Sequence, residues 1–139
     1  MGYDDSDPDW VEAFLHPKEA LGLVVQLAET RATGDAPRRP FAAPPGPAAP
    51  PPAVTMLGLL TRARSAARAE TLWAAVLRGR RDDAAGTLVY RWPGSPMRIA
   101  VHLDPDADEG PIAVEFTSTR AVDLPAAPEL GTMFRQSPR

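Results

Sequence analysis

Hydrophobic and polar positions change period several times along this chain, and each change marks a boundary. From Trp10 to Leu15 the residues alternate: Trp10, Glu12 and Phe14 fall on one side, Val11, Ala13 and Leu15 on the other. Leu21 to Leu27 is a second apolar run, with Gly22 near its start and the β-branched pair Val24 and Val25 inside it. Both runs are short and bounded by turn residues, which predicts strands. His16-Pro17-Lys18-Glu19-Ala20 joins them, so they form an antiparallel hairpin that must add to a larger sheet to be stable in water. Val54 to Leu60 has strand length. From Ser65 to Arg78 the period lengthens, and Ala69, Leu72, Trp73, Val76 and Leu77 recur at helical spacing. Ser65 is placed to cap this helix and Gly79 to stop it. A weakly patterned segment follows. Thr87 to Trp92 predicts a strand, residues 92–96 a turn, and Met97 to Leu103 a cleanly alternating strand. There Met97, Ile99, Val101 and Leu103 oppose Arg98, Ala100 and His102. Ile112, Val114 and Phe116 alternate against Ala113 and Glu115. One helix with several largely antiparallel strands predicts an α+β fold in which the helix covers one sheet face.

Proline divides the chain. Eight of the eighteen residues from Ala36 to Ala53 are Pro, which excludes helix and sheet and favours polyproline II. At about 3.1 Å per residue this stretch spans on the order of 50 Å. It also holds P-x-x-P spacings, Pro44 to Pro47 and Pro47 to Pro50, of the kind that proline-binding domains take. The predicted organisation is a disordered N-terminus (1–9), a strand hairpin (10–30), a Pro/Ala-rich linker (31–53), a strand-and-helix module (54–120) and a tail (121–139). The tail is loop with room for a short strand near Met133 and Phe134.

Length and charge narrow the classes. With the linker set aside, about 120 of the 139 residues are free to fold, near the lower limit for a self-sufficient core. The chain has no cysteine, which rules out disulfides, thiolate metal sites and a Cys nucleophile. No apolar run approaches the roughly 18–20 residues of a membrane span, and Asp4, Asp5, Asp7 and Asp9 stand where a signal peptide is basic. These features predict a cytoplasmic protein with no membrane partner. The net charge of −3 and the lack of aromatics among Arg62, Arg64, Arg68, Arg78, Arg80 and Arg81 predict no nucleic-acid partner. That arginine face is expected to be solvated.

Asp104, Asp106, Asp108 and Glu115 hold positions one, three, five and twelve of a calcium loop, but the sixth position is Glu109 where glycine is needed. An acidic surface turn is the expectation. No G-x-S-x-G elbow, phosphate-cradling glycine loop or H-E-x-x-H occurs, and His16 and His102 are the only histidines.

Two stretches resemble one family. "AFLHPKEALGLVVQL" resembles the final strand pair of the vicinal oxygen chelate superfamily, the glyoxalase and bleomycin-resistance fold, and is nearest to methylmalonyl-CoA epimerase-like members. "VTMLGLLTRARSAARAETLWAAVLRG", residues 54–79, resembles the opening strand and helix of a βαβββ module of that superfamily. The resemblance implies a cupped mixed sheet built from paired modules, within one chain or between chains. It also implies a divalent metal (Mn, Co, Ni, Zn or Mg) that stabilises an enolate as a Lewis acid. On this resemblance the hairpin belongs to a paired module. Its missing partner strands would come from sequence upstream of Met1, from permutation within the chain, or from a second copy, and a homodimer is expected.

The resemblance puts Gln26 at the family's last-strand ligand position, where a neutral amide cannot act as a base. A histidine is expected near Met56 and is missing. Glu115 and His102 are the remaining metal candidates, with Arg98 and His102 as candidate substrate-binding residues. His16 is expected to be structural. The function expected from these residues is a small-molecule binding module, or a degenerate lyase or epimerase relative with an incomplete metal site. The alternatives are an active metal-dependent isomerase or lyase completed by a second chain or by upstream sequence, and an interaction module that docks through the Pro-rich segment.

Overall fold

Among the described residues the strands form two sheets, and one helix is packed where they meet. The computed structural model describes residues 2–31, 45, 53–84, 87–122 and 133–137. The expected Pro-rich linker, apart from Pro45 and Ala53, lies outside the described residues.

The first sheet contains β1 (Gly2–Asp7), β2 (Trp10–Leu15) and β3 (Val25–Thr30), antiparallel in that order. Residues 2–7 are therefore a strand where the sequence predicts disorder. All six of its residues are exposed, so no apolar pattern marks it and backbone pairing with β2 holds it. Aspartates shape its end: the Ser6 N–H donates to Asp4 Oδ1 at 2.9 Å and the Asp9 N–H to Asp7 Oδ1 at 2.8 Å. The Ser6 bond also holds the Asp4 carboxyl below its usual range.

β2 and β3 form the expected antiparallel pair, with Leu15 opposite Val25 and Trp10 opposite Thr30. The second strand, however, starts four residues later than its apolar run. Leu21 (φ 54°) and Gly22 (φ 79°) are left-handed, which no strand tolerates. The run serves two purposes. Ala20 and Leu21 are buried, at 0% and 1% exposure, and enter the core beneath the helix. Pairing with β2 begins only at Val25.

The second sheet has six strands: β4 (Val54–Ala63), β5 (Arg80–Ala84), β6 (Thr87–Arg91), β7 (Arg98–Leu103), β8 (Gly110–Ser118) and β9 (Met133–Gln136). Their spatial order is β5-β6-β7-β4-β8-β9. β4–β7 and β8–β9 are parallel and the other pairs antiparallel. The fold is α+β, dominated by strands. From Val54 to Leu103 the order is strand, helix, three strands, and the parallel β4–β7 contact closes it. β8 lies on the far side of β4, so residues 110–118 extend the sheet past that run. The weakly patterned segment after the helix is β5, a polar edge strand. The short tail strand is β9.

Helix α1 (Ala66–Glu70) continues as a π-helical segment, Thr71–Val76. Ser65 caps it as expected, its Oγ accepting from the Arg68 N–H. Ala69, Leu72 and Trp73 face the sheet and are buried, yet Val76 is 49% exposed. The Leu77 N–H donates to Leu72 O, a five-residue step. That wider turn rotates Val76 off the stripe a 3.6-residue period assigns it. The left-handed residue ending the helix is Arg78 (φ 60°), one place before the glycine expected there. Gly79 is required for another reason: a Cβ would lie 2.7 Å from Trp73 O and 2.9 Å from the Trp92 ring.

The core between helix and sheet joins Leu21, Ala63, Leu72, Trp73, Tyr90 and Val101. Trp92 meets Trp73 edge-on at 6.4 Å, and its Nε1 donates to Leu77 O at 2.6 Å. Burying a leucine such as Leu21 contributes about 1.5–3 kcal/mol, so the N-terminal sheet is anchored through its β2–β3 turn.

Polar groups clasp the same junction. Arg68 donates through Nε and Nη2 to the two oxygens of Glu109 at 3.1 and 2.9 Å, and through Nη2 to Lys18 O at 3.2 Å. Gly22 lies so close to the 109–110 backbone that a Cβ would collide with the Glu109 carbonyl.

Candidate functional site

Strand alternation determines which face of the large sheet is chemically interesting. Val101 and its cross-strand partner Leu88 belong to the helix-covered core. Arg98, Ala100 and His102 on the same strand therefore point to the uncovered face. On β4, Gly58 is in register with Arg98 of β7 on one side and with Glu115 of β8 on the other. Arg98 and Glu115 thus share the uncovered face at two strand spacings, about 9.5 Å between backbones.

Gly58 is what lets them meet. It has φ 141°, and a Cβ there would collide with the Arg98 carbonyl. The β4–β8 register shifts beside it, between Met56 and Gly58. With no side chain in between, Arg98 crosses β4. Its Nε and Nη2 donate to Glu115 Oε2 at 3.3 and 3.1 Å, and Ser137 Oγ donates to Oε1 at 3.3 Å. Glu115 is 4% exposed, while a quarter of the Arg98 side chain reaches solvent. Arg98 Nη1 makes no hydrogen bond to a described residue. Arg80, Arg91 and Arg62 lie on the same face, Arg135 stands beside Glu115 on β9, and Arg91 and Arg62 pair with Asp82 and Asp104 at 3.4 and 3.8 Å.

The other sequence candidates lie elsewhere. His102 is exposed and stands opposite Arg62, four residues along β7 from Arg98, about 13 Å away. Gln26 is on β3 of the other sheet, where its Nε2 donates to Glu12 Oε2 at 2.7 Å; the same oxygen accepts from Trp10 Nε1 at 3.0 Å. The structure brings Arg98 and Glu115 together and leaves Gln26 and His102 apart. His16 closes its own turn, its Nδ1 accepting from the Lys18 N–H at 3.2 Å.

These residues do not fit the divalent metal that the family resemblance implies. Both Glu115 oxygens are engaged, and a guanidinium occupies the space a cation would need. Among the described residues no group of three or more His, Asp or Glu side chains is placed to hold a metal ion. The acidic loop has partners of its own: Asp108 pairs with Arg64 at 3.0 Å and Glu109 with Arg68 at 2.9 Å. Burial raises the Glu109 pKa, but the Arg64 backbone N–H and the Arg68 guanidinium outweigh it and hold the carboxyl below its usual range. Arg64 and Arg68 are exposed, as expected of a solvated face, and each also pairs with this loop.

An apolar cleft of about 440 Å³ opens on the opposite side of the sheet, between the β2–β3 turn and the helix. It is lined by Leu15, Ala67, Thr71, Leu72 and Val76, with Glu19 and Arg68 at its edge. None of the sequence-predicted site residues lines it. Sequence reasoning also missed Gly58 and Ser137. A glycine inside an apolar strand signals a bulge or a close approach, so Gly58 was findable, whereas nothing near Ser137 points to Glu115.

Compared with protein families, curated proteins and solved structures, the chain matches none. Among the described residues no helix is long and apolar enough to cross a membrane.

Proposed function

We propose that the chain is a glyoxalase-like binding module that holds a small anionic molecule on the uncovered face of its six-stranded sheet, without a resident divalent metal. The observation that carries this is the Arg98–Glu115 pair. A buried carboxylate fixes the guanidinium through Nε and Nη2, which leaves Nη1 to donate to a ligand carboxylate or phosphate. Orienting the donor in advance lowers the entropy cost of binding. Arg62, Arg80, Arg91 and Arg135 outnumber the acids on that face and favour an anion. The strand–helix–three-strand order with its parallel closing pair supports the βαβββ element of the reading.

Metal analysis of the purified protein, with a thermal-shift panel of Mn, Co, Ni, Zn and Mg beside oxalate, succinate and inorganic phosphate, tests it. An anion at 100 times its Kd adds about 2.7 kcal/mol of stability. That shift should vanish in Arg98→Ala and persist in Thr71→Trp, which fills the apolar cleft. Near-stoichiometric metal that is lost on substituting Gln26 or His102 would favour a metal-dependent isomerase or lyase instead. A shift lost in Thr71→Trp and kept in Arg98→Ala would move the site to the cleft.

A further inference from the structure

We infer that the free edge of β3 pairs antiparallel with the same edge of a second copy of this chain, about a two-fold axis that passes through Gln26. In the sheet order β1-β2-β3, β3 has β2 on one side and no strand among the described residues on the other. Five of its six residues are exposed. Edge strands left open in this way normally carry charge, proline or a register break that discourages pairing. The opposite edge does: β1 bears Asp4, Asp5 and Asp7, with a register break between Asp4 and Asp7. From Val24 to Ala28 there is neither charge nor proline, and Val24 and Leu27 are 66% and 43% exposed.

The segment is also self-complementary. Val24-Val25-Gln26-Leu27-Ala28 is apolar on both sides of one central amide. A two-fold axis perpendicular to the sheet at Gln26 sets Val25 against the partner's Leu27 and Val24 against the partner's Ala28. Each pair then lies on one face, as the pleat requires. Moving the axis to Leu27 would set Val25 against Glu29, and moving it to Val25 would set Val24 against Gln26. Only the axis at Gln26 matches apolar with apolar on both faces and leaves Glu29 outside the matched pairs. At the axis, one Gln26 amide hydrogen is held by Glu12. The second hydrogen and the carbonyl oxygen remain for reciprocal bonding with the partner's Gln26. The residue that the family resemblance assigns to a metal would instead be the pivot of a homodimer.

The chain has no cysteine, so a single introduced thiol reports on the axis. Sedimentation across a concentration series should show a monomer–dimer equilibrium. In Gln26→Cys the two thiols meet at the axis, where antiparallel backbones lie about 4.5–5.5 Å apart, within disulfide range. Mild oxidation should give a covalent dimer in that variant and not in Glu29→Cys or Tyr3→Cys. Replacing both Val24 and Ala28 by lysine sets like charges against each other and should weaken the dimer about tenfold or more. Replacing Val24 by glutamate and Ala28 by lysine should retain it. Far-UV circular dichroism establishes that each variant is folded. A monomer at every concentration, a dimer indifferent to the paired lysines, or crosslinking at Tyr3→Cys in place of Gln26→Cys would overturn the inference.

Discussion

Arg98→Met should destabilise the fold more than Glu115→Gln, and the asymmetry follows from unequal burial. Glu115 is 4% exposed, whereas a quarter of the Arg98 side chain reaches solvent. Removing the arginine leaves a buried carboxylate with only the Ser137 hydroxyl as a donor. Stranding a buried charge costs about 3–5 kcal/mol, and the partial opening at Arg98 lets water in, so about 2–4 kcal/mol is the expected loss. Neutralising Glu115 instead frees a guanidinium that can turn outward, and that loss is about 1–2 kcal/mol. The double variant Arg98→Met/Glu115→Gln should cost little more than the milder single change, which gives a coupling of about 1–3 kcal/mol in the double-mutant cycle. Urea unfolding followed by tryptophan fluorescence is the assay, since Trp73 and Trp92 lie in and beside the core, and unchanged m-values license the comparison. Additivity within about 0.5 kcal/mol, or a larger loss for Glu115→Gln than for Arg98→Met, would refute the account of this pair.

Leu21→Ala should lower stability by about 2–5 kcal/mol, and hydrogen exchange should show β2 and β3 losing protection before β7, because Leu21 anchors the small sheet. The lowered pKa of Glu109 also has a pH consequence. A carboxylate held below its unfolded value contributes stability that is full above the unfolded pKa and lost as pH falls through the folded one. Urea midpoints should therefore drop as pH falls below the ordinary carboxylate range, and Glu109→Gln should flatten that slope.

Alternation located β7 and β8 well, because one face of each strand is buried and period two survives in the residues. The same parity put Arg98, His102 and Glu115 on one side. It did not show that Arg98 reaches Glu115 while His102 does not. That depends on the register of β4 between them and on the side chain missing at Gly58. β1 and β5 carried no signal because edge strands are held by backbone bonds and their residues are polar. The run from Leu21 to Leu27 was misplaced because a buried plug and a strand stand next to each other, and local periodicity cannot separate apolar residues with different destinations. Val76 went astray through one π turn. Gln26 was assigned from motif position, which says nothing about the sheet its strand joins.

The position of Leu21 also bears on synthesis. Its socket includes Tyr90 and Val101, so a nascent chain must grow by about 80 residues after Leu21 before the plug has anywhere to go. At about 5–20 residues per second that wait is roughly 4–16 s. Once Thr30 has emerged, the three N-terminal strands can be outside the ribosome for the rest of that wait, with Leu21 in water and the β3 edge open. For those seconds this short chain resembles an aggregation-prone peptide, and the interval when it most needs a chaperone ends when β7 emerges.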